Sequence, residues 1–379
     1  MSEIFDQPVP DHTVGSGDTV GDELDPTAHA VVAHTLAEAP AELRPLLTVR
    51  DLRTWFRTRA GDVRAVDGVD LTVGRGEVLG LVGESGSGKS VTMLSVLRLI
   101  DDPGRIVSGS VDFDGIDVLG LDKSALRSIR GNRISMVFQQ PNASLHPCYT
   151  AGAQISEVYE IHQNASKKAG FDKAIDMLRR VGIPDAPRRA RSYPHQLSGG
   201  QAQRVMIAMA LAAEPELLIA DEPTTALDVT IQAQILDLMR QLQADSGASV
   251  VLITHDLGVV AEMAHRVAVM YGGQIVEQAS VNDLFTDPKH PYTQGLLGSV
   301  PVIGRRQDEL TVIRGRVPTL IDTPPGCRFA DRCPERMDVC TQATPALVEL
   351  EHAAGRQVRC FLHSPATAEE VAVSVGARR

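Results

Sequence analysis

Short apolar runs recur along the chain, and helical periodicities separate them. The runs cover residues 78–82, 134–138, 217–220 and 250–253. Apolar runs of this length without polar alternation are typical of strands buried on both faces of a sheet. The clearest periodicity between them places four residues on one face of a helix, namely Ile231, Ile235, Leu238 and Leu242. Strands separated by helices predict a parallel sheet with right-handed crossovers, which is an α/β fold.

Two further patterns add smaller elements to this α/β core. Before the first buried run, strand candidates that start near Leu46 are joined by turns at Gly61 and Gly74. Short strands joined by tight turns predict a small antiparallel β subdomain. Between about residues 140 and 200 the apolar spacing becomes helical, which predicts an inserted helical subdomain. A hairpin is expected at Gly272 and Gly273.

The composition divides the 379 residues into three parts. Residues 1–44 are acidic, with scattered Pro, Gly and Thr and no sustained period, so we expect a disordered N-terminal extension. Residues 45–300 carry the α/β pattern. From about residue 301 the composition shifts towards Pro, Arg and Cys, which predicts a separate, small cysteine-containing region at 301–379.

Charge and hydropathy narrow the class of protein. A net charge of −11, a pI near 5.5 and an aromatic content of 4% argue against nucleic acid as the main partner. The first residues lack the basic start and apolar run of a signal peptide, and no stretch approaches the roughly 20 apolar residues that span a bilayer. We therefore expect a cytoplasmic protein whose five cysteines are reduced or bind a metal.

A glycine-rich loop follows the first buried run. Residues 83–90 read Gly-Glu-Ser-Gly-Ser-Gly-Lys-Ser and fit the phosphate-loop pattern G-x-x-x-x-G-K-[ST] at every fixed position. The backbone N–H groups of such a loop surround a polyphosphate, and the following helix directs its positive end at that charge. We expect Lys89 to reach the β- and γ-phosphates and the Ser90 hydroxyl to bind Mg²⁺.

Polar side chains stand where three of the buried runs end, at Gln139, Asp221, Glu222 and His255. Ligands collect at the carboxyl ends of parallel strands, so these residues are expected to converge beside the phosphate loop. Asp221 is the expected carboxylate that supports Mg²⁺, and Glu222 is placed to orient the attacking water or accept its proton. Gln139 is expected to contact Mg²⁺ or water, and His255 the γ-phosphate. Taken singly, each is also typical of a solvated or structural strand end.

A second candidate anion site lies at residues 197–201, Leu-Ser-Gly-Gly-Gln. The apolar run that follows it predicts a buried helix. Ser198 and uncovered backbone N–H groups would then lie at the positive end of that helix. On its own, the same stretch is also typical of an ordinary helix N-cap.

The order and spacing of these motifs resemble those of the ATP-binding cassette (ABC) family, over about residues 46–300. The resemblance implies a head-to-tail dimer in which ATP lies between the phosphate loop of one subunit and residues 197–201, the signature sequence, of the other. It identifies Asp221 and Glu222 with the magnesium and catalytic pair. Gln139 is similar to the glutamine that senses the γ-phosphate, and His255 to the switch histidine.

The resemblance also implies a set of nucleotide contacts. Residues 226–228 are similar to the loop that contacts the partner subunit. Phe56 is the better match to the aromatic residue that stacks on adenine, with Trp55 as competitor and a core aromatic as the remaining alternative. The implied nucleotide-binding residues are Phe56, Gly83, Ser85, Gly86, Gly88, Lys89, Ser90, Ser198, Gly199, Gly200, Gln201 and Asp228. The implied magnesium ligands are Ser90, Gln139 and Asp221, and the implied catalytic residues are Glu222, His255 and Gln139.

The C-terminal region narrows the resemblance. The run Asp-Pro-Lys-His-Pro-Tyr-Thr at 287–293 and four later cysteines look like the ATP-binding subunits of dipeptide and oligopeptide importers, a branch that also contains nickel importers. The cysteines are Cys327, Cys333, Cys340 and Cys360. Four thiolates can hold a [4Fe–4S] cluster, and the set is similar to one that binds such a cluster in this branch. Zinc and four metal-free thiols are the alternatives, and zinc is less natural without a C-x-x-C pair.

Two expectations accompany this cysteine set. Arg328, Arg332 and Arg359 lie beside these cysteines in sequence and are expected to offset the negative charge of a cluster. The fifth cysteine, Cys148, lies outside the set and is expected to be a small core residue.

The sequence as a whole is interpreted as the ATP-hydrolysing subunit of an importer of di- or oligopeptides. Nickel is the alternative cargo, and a soluble ABC ATPase that acts on nucleic acid or ribosomes is the less favoured alternative. The resemblance implies ATP and Mg²⁺, a second ATPase subunit that is identical or paralogous, two integral membrane permease subunits and an extracytoplasmic substrate-binding protein. No nucleic-acid partner is expected, and the chain would lie on the cytoplasmic face of the membrane.

Overall fold

The structure, a computed structural model, describes residues 45–225, 228–299, 313–321, 323, 325–351 and 353–364. The expected N-terminal extension lies outside these ranges. So do residues 226 and 227 of the predicted partner-contacting loop. Within the described part, the chain has the predicted α/β fold with an antiparallel β subdomain and an inserted helical subdomain.

The strands and helices are numbered in chain order. The strands are β1 Pro45–Thr58, β2 Gly61–Gly74, β3 Val78–Val82, β4 Gly104–Phe113, β5 Ile116–Asp117, β6 Ile134–Val137, β7 Leu217–Asp221, β8 Ser249–Thr254, β9 Arg266–Tyr271, β10 Gln274–Ser280, β11 Val348–Glu349 and β12 Gln357–Val358. The helices are α1 Lys89–Val96, α2 Lys123–Ile129, α3 Pro141–Ser144, α4 Ala151–Gln163, α5 Lys167–Arg180, α6 Ala186–Arg189, α7 Gly199–Leu211, α8 Val229–Ser246, α9 Leu257–Met263, α10 Val281–Thr286 and α11 Pro291–Gly298.

The core sheet has the strand order β11-β12-β10-β9-β3-β8-β7-β6, and the strands from β9 to β6 run parallel. The parallel strands β3, β7 and β8 are buried on both faces. In β7, Leu217 and Ile219 pack with the antiparallel subdomain, whereas Leu218 and Ala220 pack with the helical subdomain. Because both faces are covered, the strand sequences are apolar without alternation, as the sequence pattern predicts.

The antiparallel subdomain is a four-stranded sheet in the order β2-β1-β4-β5. Strands β1 and β2 form a long hairpin that closes at Thr58 and Gly61. The buried hydroxyls of Thr54 in β1 and Ser95 in α1 are 2.7 Å apart, and α1 follows the phosphate loop. This sheet therefore packs directly on the helix that carries the nucleotide motif.

The helical subdomain comprises α4 to α7, between β6 and β7. Thr150 and Ser166 cap α4 and α5 by accepting backbone N–H bonds at 3.4 and 3.3 Å. Gly182, at a φ of 71°, lies just beyond the C-cap of α5, where a left-handed glycine is a common helix ending. None of the described helices is both long and apolar enough to cross a membrane.

The described C-terminal residues extend the core sheet. Strand β12 pairs antiparallel with β10 and with β11, so two short strands lengthen the sheet beyond β10. Phe329 packs its ring against Tyr271 and Tyr292, with centroids 5.3 and 5.4 Å apart. These contacts place the cysteine-containing segment on the hairpin formed by β9 and β10.

Cys148 differs from its predicted position. Its side chain is exposed rather than in the core. It lies between α3 and α4 in a segment that runs over the surface, where the neighbouring Tyr149 is 58% exposed. The backbone N–H of Cys148 donates to His146 Nδ1 at 3.2 Å, so a local turn decides its position instead of packing.

His290 is a buried, neutral histidine at the N-terminus of α11. It is 1% exposed, and its Nδ1 accepts the backbone N–H of Tyr292 at 3.0 Å. Burial, together with the charges of His363 and Arg359, lowers the pKa of His290 to about 3 from 6.5. Because the folded pKa is depressed, this group contributes stability that is present above pH 6.5 and is lost as the pH falls towards about 3.

We predict that the free energy of unfolding falls by on the order of 1 kcal/mol per pH unit below about pH 6 on account of His290. His290→Asn keeps an N-cap acceptor and removes the titrating ring, so its stability should fall less with acidification. Denaturant unfolding at several pH values measures the slope. The exposed His195 supplies the control His195→Asn, which should keep the wild-type slope. Equal slopes for wild type and His290→Asn would contradict the prediction.

Candidate active site

The phosphate loop spans residues 83–88 between β3 and α1 and is packed between two strands of the surrounding fold. Gly83 has a φ of 150°, and a Cβ there would lie 2.1 Å from the Met270 carbonyl oxygen. Gly88 has a φ of 104°, and a Cβ there would lie 2.3 Å from the Ala65 carbonyl oxygen. Only glycine fits these two positions. Ser85 and Gly86 form the exposed tip of the loop.

Lys89 lies beneath this loop, and its side chain is buried. Its Nζ donates to the carbonyl oxygens of Gly83 at 2.8 Å and Glu84 at 3.0 Å. Burial lowers the pKa of Lys89, while the negative charges of Glu222, Asp221 and Glu84 act in the opposite direction. An ammonium that is buried among neutral acceptors is matched to an anionic ligand, as the phosphate-loop motif predicts.

Ser90 and Asp221 are directly hydrogen-bonded. The Ser90 hydroxyl donates to Asp221 Oδ1 at 2.9 Å. Burial raises the pKa of Asp221, the hydrogen bond from Ser90 lowers it, and the charge of Glu222 raises it further. Two adjacent oxygen ligands in a partly buried site suit a small hard cation such as Mg²⁺, and Ser90 and Asp221 are the residues that would hold it.

Glu222 is the centre of a hydrogen-bond network at the carboxyl ends of the parallel strands. Its Oε2 accepts from Gln139 Nε2 at 2.7 Å and from the Thr225 hydroxyl at 2.8 Å. His255 Nδ1 lies 3.3 Å from Glu222 Oε1. The strand-end residues therefore come together as the sequence predicts, while their chemical roles stay predictions.

The surroundings of the Glu222 carboxyl favour its ionised form. Burial acts to raise its pKa, but the hydrogen bonds from Thr225, His255 and Gln139 outweigh burial and the net pKa is lowered. Its backbone has a φ of 46°, a left-handed conformation that is rare outside glycine. A strained, ionised carboxylate at a strand end is able to orient a water molecule or accept its proton.

Residues 197–201 form a second surface. Ser198 is the N-cap of α7 and accepts the backbone N–H of Gln201 at 3.3 Å in a capping box. Asp228 caps α8 by accepting the backbone N–H of Ile231 at 2.9 Å. An open hollow of about 520 Å³ is lined by Ser198, Gly199, Gly200, Gln201 and Asp228 together with residues 182, 184, 204, 231 and 234. No described residue of the phosphate loop is in this lining.

The aromatic candidates lie on opposite faces of β1. Phe56 is half-buried, and a Cβ on Gly104 would lie 2.6 Å from its ring. The guanidinium of Arg64 lies over the Trp55 ring at 4.9 Å from the centroid. Contact of Phe56 with adenine stays a prediction.

The four C-terminal cysteines line one narrow pocket, together with Phe329 and other apolar residues. The Cys327 N–H donates to the Cys340 carbonyl at 2.8 Å. Burial raises the pKa of Cys327 to about 12 and also raises the pKa of Cys333 and Cys360. Four cysteine thiols are the right type of ligand for an iron–sulfur cluster. The distances between them do not suit a metal site, because nowhere in the described ranges do three Cys, His, Asp or Glu side chains stand close enough to hold a metal ion.

The arginines beside these cysteines bind elsewhere than expected. Arg328 donates to Asp67 and to the Gly272 carbonyl. Arg332 pairs with Glu84 of the phosphate loop. The guanidinium groups of these two arginines are therefore paired with the nucleotide motif and its neighbours, and their compensation of a cluster's charge stays a prediction.

Three residues contribute to the nucleotide site although the sequence does not predict that role for them. Thr225 holds Glu222, and the Tyr292 hydroxyl accepts the backbone N–H of Glu84 at 2.8 Å. Arg332 binds the Glu84 carboxylate. Tyr292 lies in the run at 287–293 that the sequence singles out, and Arg332 is marked in the sequence only as a neighbour of the cysteines, not as a partner of the phosphate loop.

Comparison with known families and proteins identifies the family to which this chain belongs. Residues 66–225 match the family described as ABC transporter, and residues 276–340 match the oligopeptide/dipeptide transporter C-terminal region. The chain is 52% identical over 326 residues to the oligopeptide transport ATP-binding protein AppD of Bacillus subtilis, which covers 86% of this chain and 99% of the relative. The chain belongs to the ABC transporter family of ATPases. It is also 49% identical to the dipeptide transport ATP-binding protein DppD of Escherichia coli, over 83% of this chain and 96% of DppD.

Solved structures agree with membership of the ABC family. The chain resembles the dimeric post-hydrolysis state of the ATP-binding cassette MJ0796 bound to ADP and Pi, with a TM-score of 0.57 and 31% identity over 62% of this chain and 98% of that one. It also resembles cbiO1 from Clostridium perfringens, with a TM-score of 0.54 and 27% identity over 65% of this chain and 92% of that one. The predicted cassette fold is therefore confirmed.

Proposed function

We propose that this ABC ATPase powers an importer of di- or oligopeptides from the cytoplasmic face of a membrane. The observation that carries the proposal is the match of residues 276–340 to the oligopeptide/dipeptide transporter C-terminal region, in a chain with a complete nucleotide motif. The names of AppD and DppD support the same cargo. We assign residues 45–300 to the nucleotide-binding domain, about 140–200 to its helical subdomain and 301–379 to the C-terminal region, after an extension at 1–44.

The chemistry proposed for the site is phosphoryl transfer from ATP to water. Lys89 binds the β- and γ-phosphates, and Ser90 and Asp221, with Gln139, would hold Mg²⁺, which neutralises charge on the phosphates. Glu222 orients the attacking water and accepts its proton. His255, 3.3 Å from Glu222, contacts the γ-phosphate. Catalysis then consists mainly of positioning the γ-phosphoryl group and neutralising its negative charge.

A second subunit completes the site in this proposal. The hollow at Ser198 has uncovered backbone N–H groups at the start of α7, and its described lining contains no phosphate-loop residue. Each half-site is incomplete alone, so ATP would be trapped between the phosphate loop of one subunit and Ser198 to Gln201 of the other. The second ATPase is identical or paralogous. Two permease subunits and an extracytoplasmic binding protein complete the importer.

Two alternative functions, a nickel importer and a soluble ATPase, can be distinguished from the peptide importer by experiment. A nickel importer would have the same ATPase chemistry, because the proposed cargo does not touch this subunit. A soluble ABC ATPase that acts on nucleic acid or ribosomes is less favoured, because such proteins carry a long coiled-coil insertion or two cassettes. The relatives named above are transport proteins for peptides, which supports the peptide importer.

We predict that Glu222→Gln retains ATP binding and lowers turnover at least about a hundredfold, because the amide cannot accept the proton of water. Equilibrium ATP binding and steady-state hydrolysis measure the two effects separately. Glu262→Gln is the matched control, since the Glu262 side chain is 60% exposed and pairs with Arg240 on the surface. Undiminished hydrolysis by Glu222→Gln would remove Glu222 from its proposed role.

We predict that the native chain purifies from membranes with integral permease subunits, and that peptides delivered by the binding protein stimulate ATPase activity of the assembled complex. The reason is that ATP hydrolysis and transport are coupled through the permease. Dipeptides, longer peptides and Ni²⁺ are compared as stimulants. Stimulation by Ni²⁺ alone would favour the nickel importer, and recovery with ribosomes instead of permeases would favour the soluble ATPase.

We further propose that Cys327, Cys333, Cys340 and Cys360 bind a [4Fe–4S] cluster. The support is the placement of the four cysteines around one pocket. Burial raises the pKa of Cys327, so binding of a metal would have to displace the thiol proton. The described side chains do not stand close enough together to hold a metal ion, so binding requires the cysteine segment to rearrange and bring the four sulfurs together.

We predict that chain purified without oxygen contains about four iron and four sulfide per subunit, with the visible absorption of an iron–sulfur centre. Cys333→Ser should lose them, whereas the exposed Cys148 supplies Cys148→Ser as the control that keeps them. Stoichiometric zinc would favour the zinc alternative. Metal-free protein would support four reduced thiols and contradict the cluster.

A further inference from the structure

The phosphate loop contains an acidic side chain, Glu84, which follows Gly83. A carboxylate there has the same sign of charge as the polyphosphate that the loop is built to bind. Like charges within a few ångströms raise the free energy of the bound state. The site therefore needs something that removes this penalty.

Arg332 supplies a neutralising charge with defined geometry. Its Nη1 donates to Glu84 Oε2 at 2.9 Å and its Nη2 to Glu84 Oε1 at 3.0 Å, which is a two-point pair. The Arg332 side chain is 7% exposed and that of Glu84 27%, so water screens the pair only in part.

The remaining donors of Arg332 are also satisfied. Its Nη1 reaches the Tyr271 hydroxyl at 3.2 Å, its Nη2 the Ile313 carbonyl at 3.3 Å and its Nε the Arg314 carbonyl at 3.0 Å. All five N–H donors of the guanidinium therefore have acceptors, and its orientation is fixed. A lysine would not reproduce this fork.

The same residue of the loop is held at its backbone. The Glu84 N–H donates to the Tyr292 hydroxyl at 2.8 Å, and the Glu84 carbonyl accepts from Lys89 Nζ at 3.0 Å. Residue 84 thus links the phosphate-binding lysine to two residues from outside the cassette motifs, Tyr292 in α11 and Arg332 in the cysteine segment.

We propose that Arg332 is a positioning residue of the nucleotide site, which raises ATP affinity by neutralising Glu84 and fixing the phosphate loop without touching ATP. The cysteine-containing segment therefore contributes to nucleotide binding within the same chain. This inference rests on the nucleotide site of the proposed function and is independent of the peptide cargo and of any metal.

The test is a double-variant cycle on the full-length chain, with ATP affinity measured by equilibrium binding. Arg332→Met leaves Glu84 uncompensated and should weaken ATP binding about tenfold. Combining it with Glu84→Gln removes the uncompensated charge, so the double variant should bind ATP several-fold more tightly than Arg332→Met alone. Arg336→Met is the matched control, since Arg336 is 50% exposed and pairs with Asp331 at 3.4 Å, and it should bind as wild type does.

The salt dependence of ATP binding tests the repulsion between Glu84 and the phosphates separately. The loss caused by Arg332→Met should shrink as salt is added, because screening weakens the repulsion between Glu84 and the phosphates. Wild-type ATP affinity in Arg332→Met would overturn the proposal. A double variant that binds ATP no more tightly than Arg332→Met would also overturn it, because the role of Arg332 would then be packing and not charge neutralisation. If Arg332→Met does not fold, Arg332→Lys is the substitute, because it keeps the positive charge but not the two-point geometry of the guanidinium. Its ATP affinity should be severalfold weaker than that of wild type, and wild-type affinity would overturn the proposal. A wild-type chain that binds no ATP would instead overturn the proposed function.

Discussion

The buried ammonium of Lys89 is the constraint on which the rest of the site depends. Its hydrogen-bond acceptors among the described residues are the Gly83 and Glu84 carbonyls and, at 3.5 Å, the Ser87 hydroxyl, all of which are neutral, and burial disfavours its charge. A buried charge without an anion costs several kcal/mol unless dipoles surround it. The loop must therefore hold its carbonyls rigidly towards Lys89 before nucleotide arrives, and a polyphosphate would then add the direct anionic contact that these neutral acceptors lack.

The fold provides this rigidity from several sides. Strand β3 is buried on both faces, so the loop starts from a fixed point in the core sheet. The Gly83 and Gly88 backbones lie against the carbonyls of Met270 and Ala65, so β9 and β2 confine the loop closely enough to exclude any Cβ. The Gly273 N–H donates to the Ser87 carbonyl at 2.9 Å, which adds the turn between β9 and β10. A loop that is confined this way loses little further entropy when it binds a ligand.

The sequence predicts those parts of the site that local patterns encode. The buried strands appear in the sequence as apolar runs. A polar residue at the carboxyl end of such a strand marks the edge of the sheet where ligands bind, and this pattern predicts Glu222 and His255. The Arg332–Glu84 pair joins residues 248 positions apart, and no periodicity links them. Strands β11 and β12 have two residues each, too few for a pattern, and Cys148 is exposed because a surface turn decides its place.

The three carboxylates around the loop differ in how their charge is compensated, and this difference separates their roles. Glu84 has the guanidinium of Arg332, and Glu222 has three hydrogen-bonding neighbours that lower its pKa. Asp221 is more buried than either, and the hydrogen bond that the described residues give its carboxylate comes from the Ser90 hydroxyl. Its pKa is raised in consequence, so it is the carboxylate that gains most from a nearby cation. A divalent cation held by Asp221 and Ser90 would supply that compensation. It would also leave the Glu222 carboxylate ionised, as its proposed role on water requires.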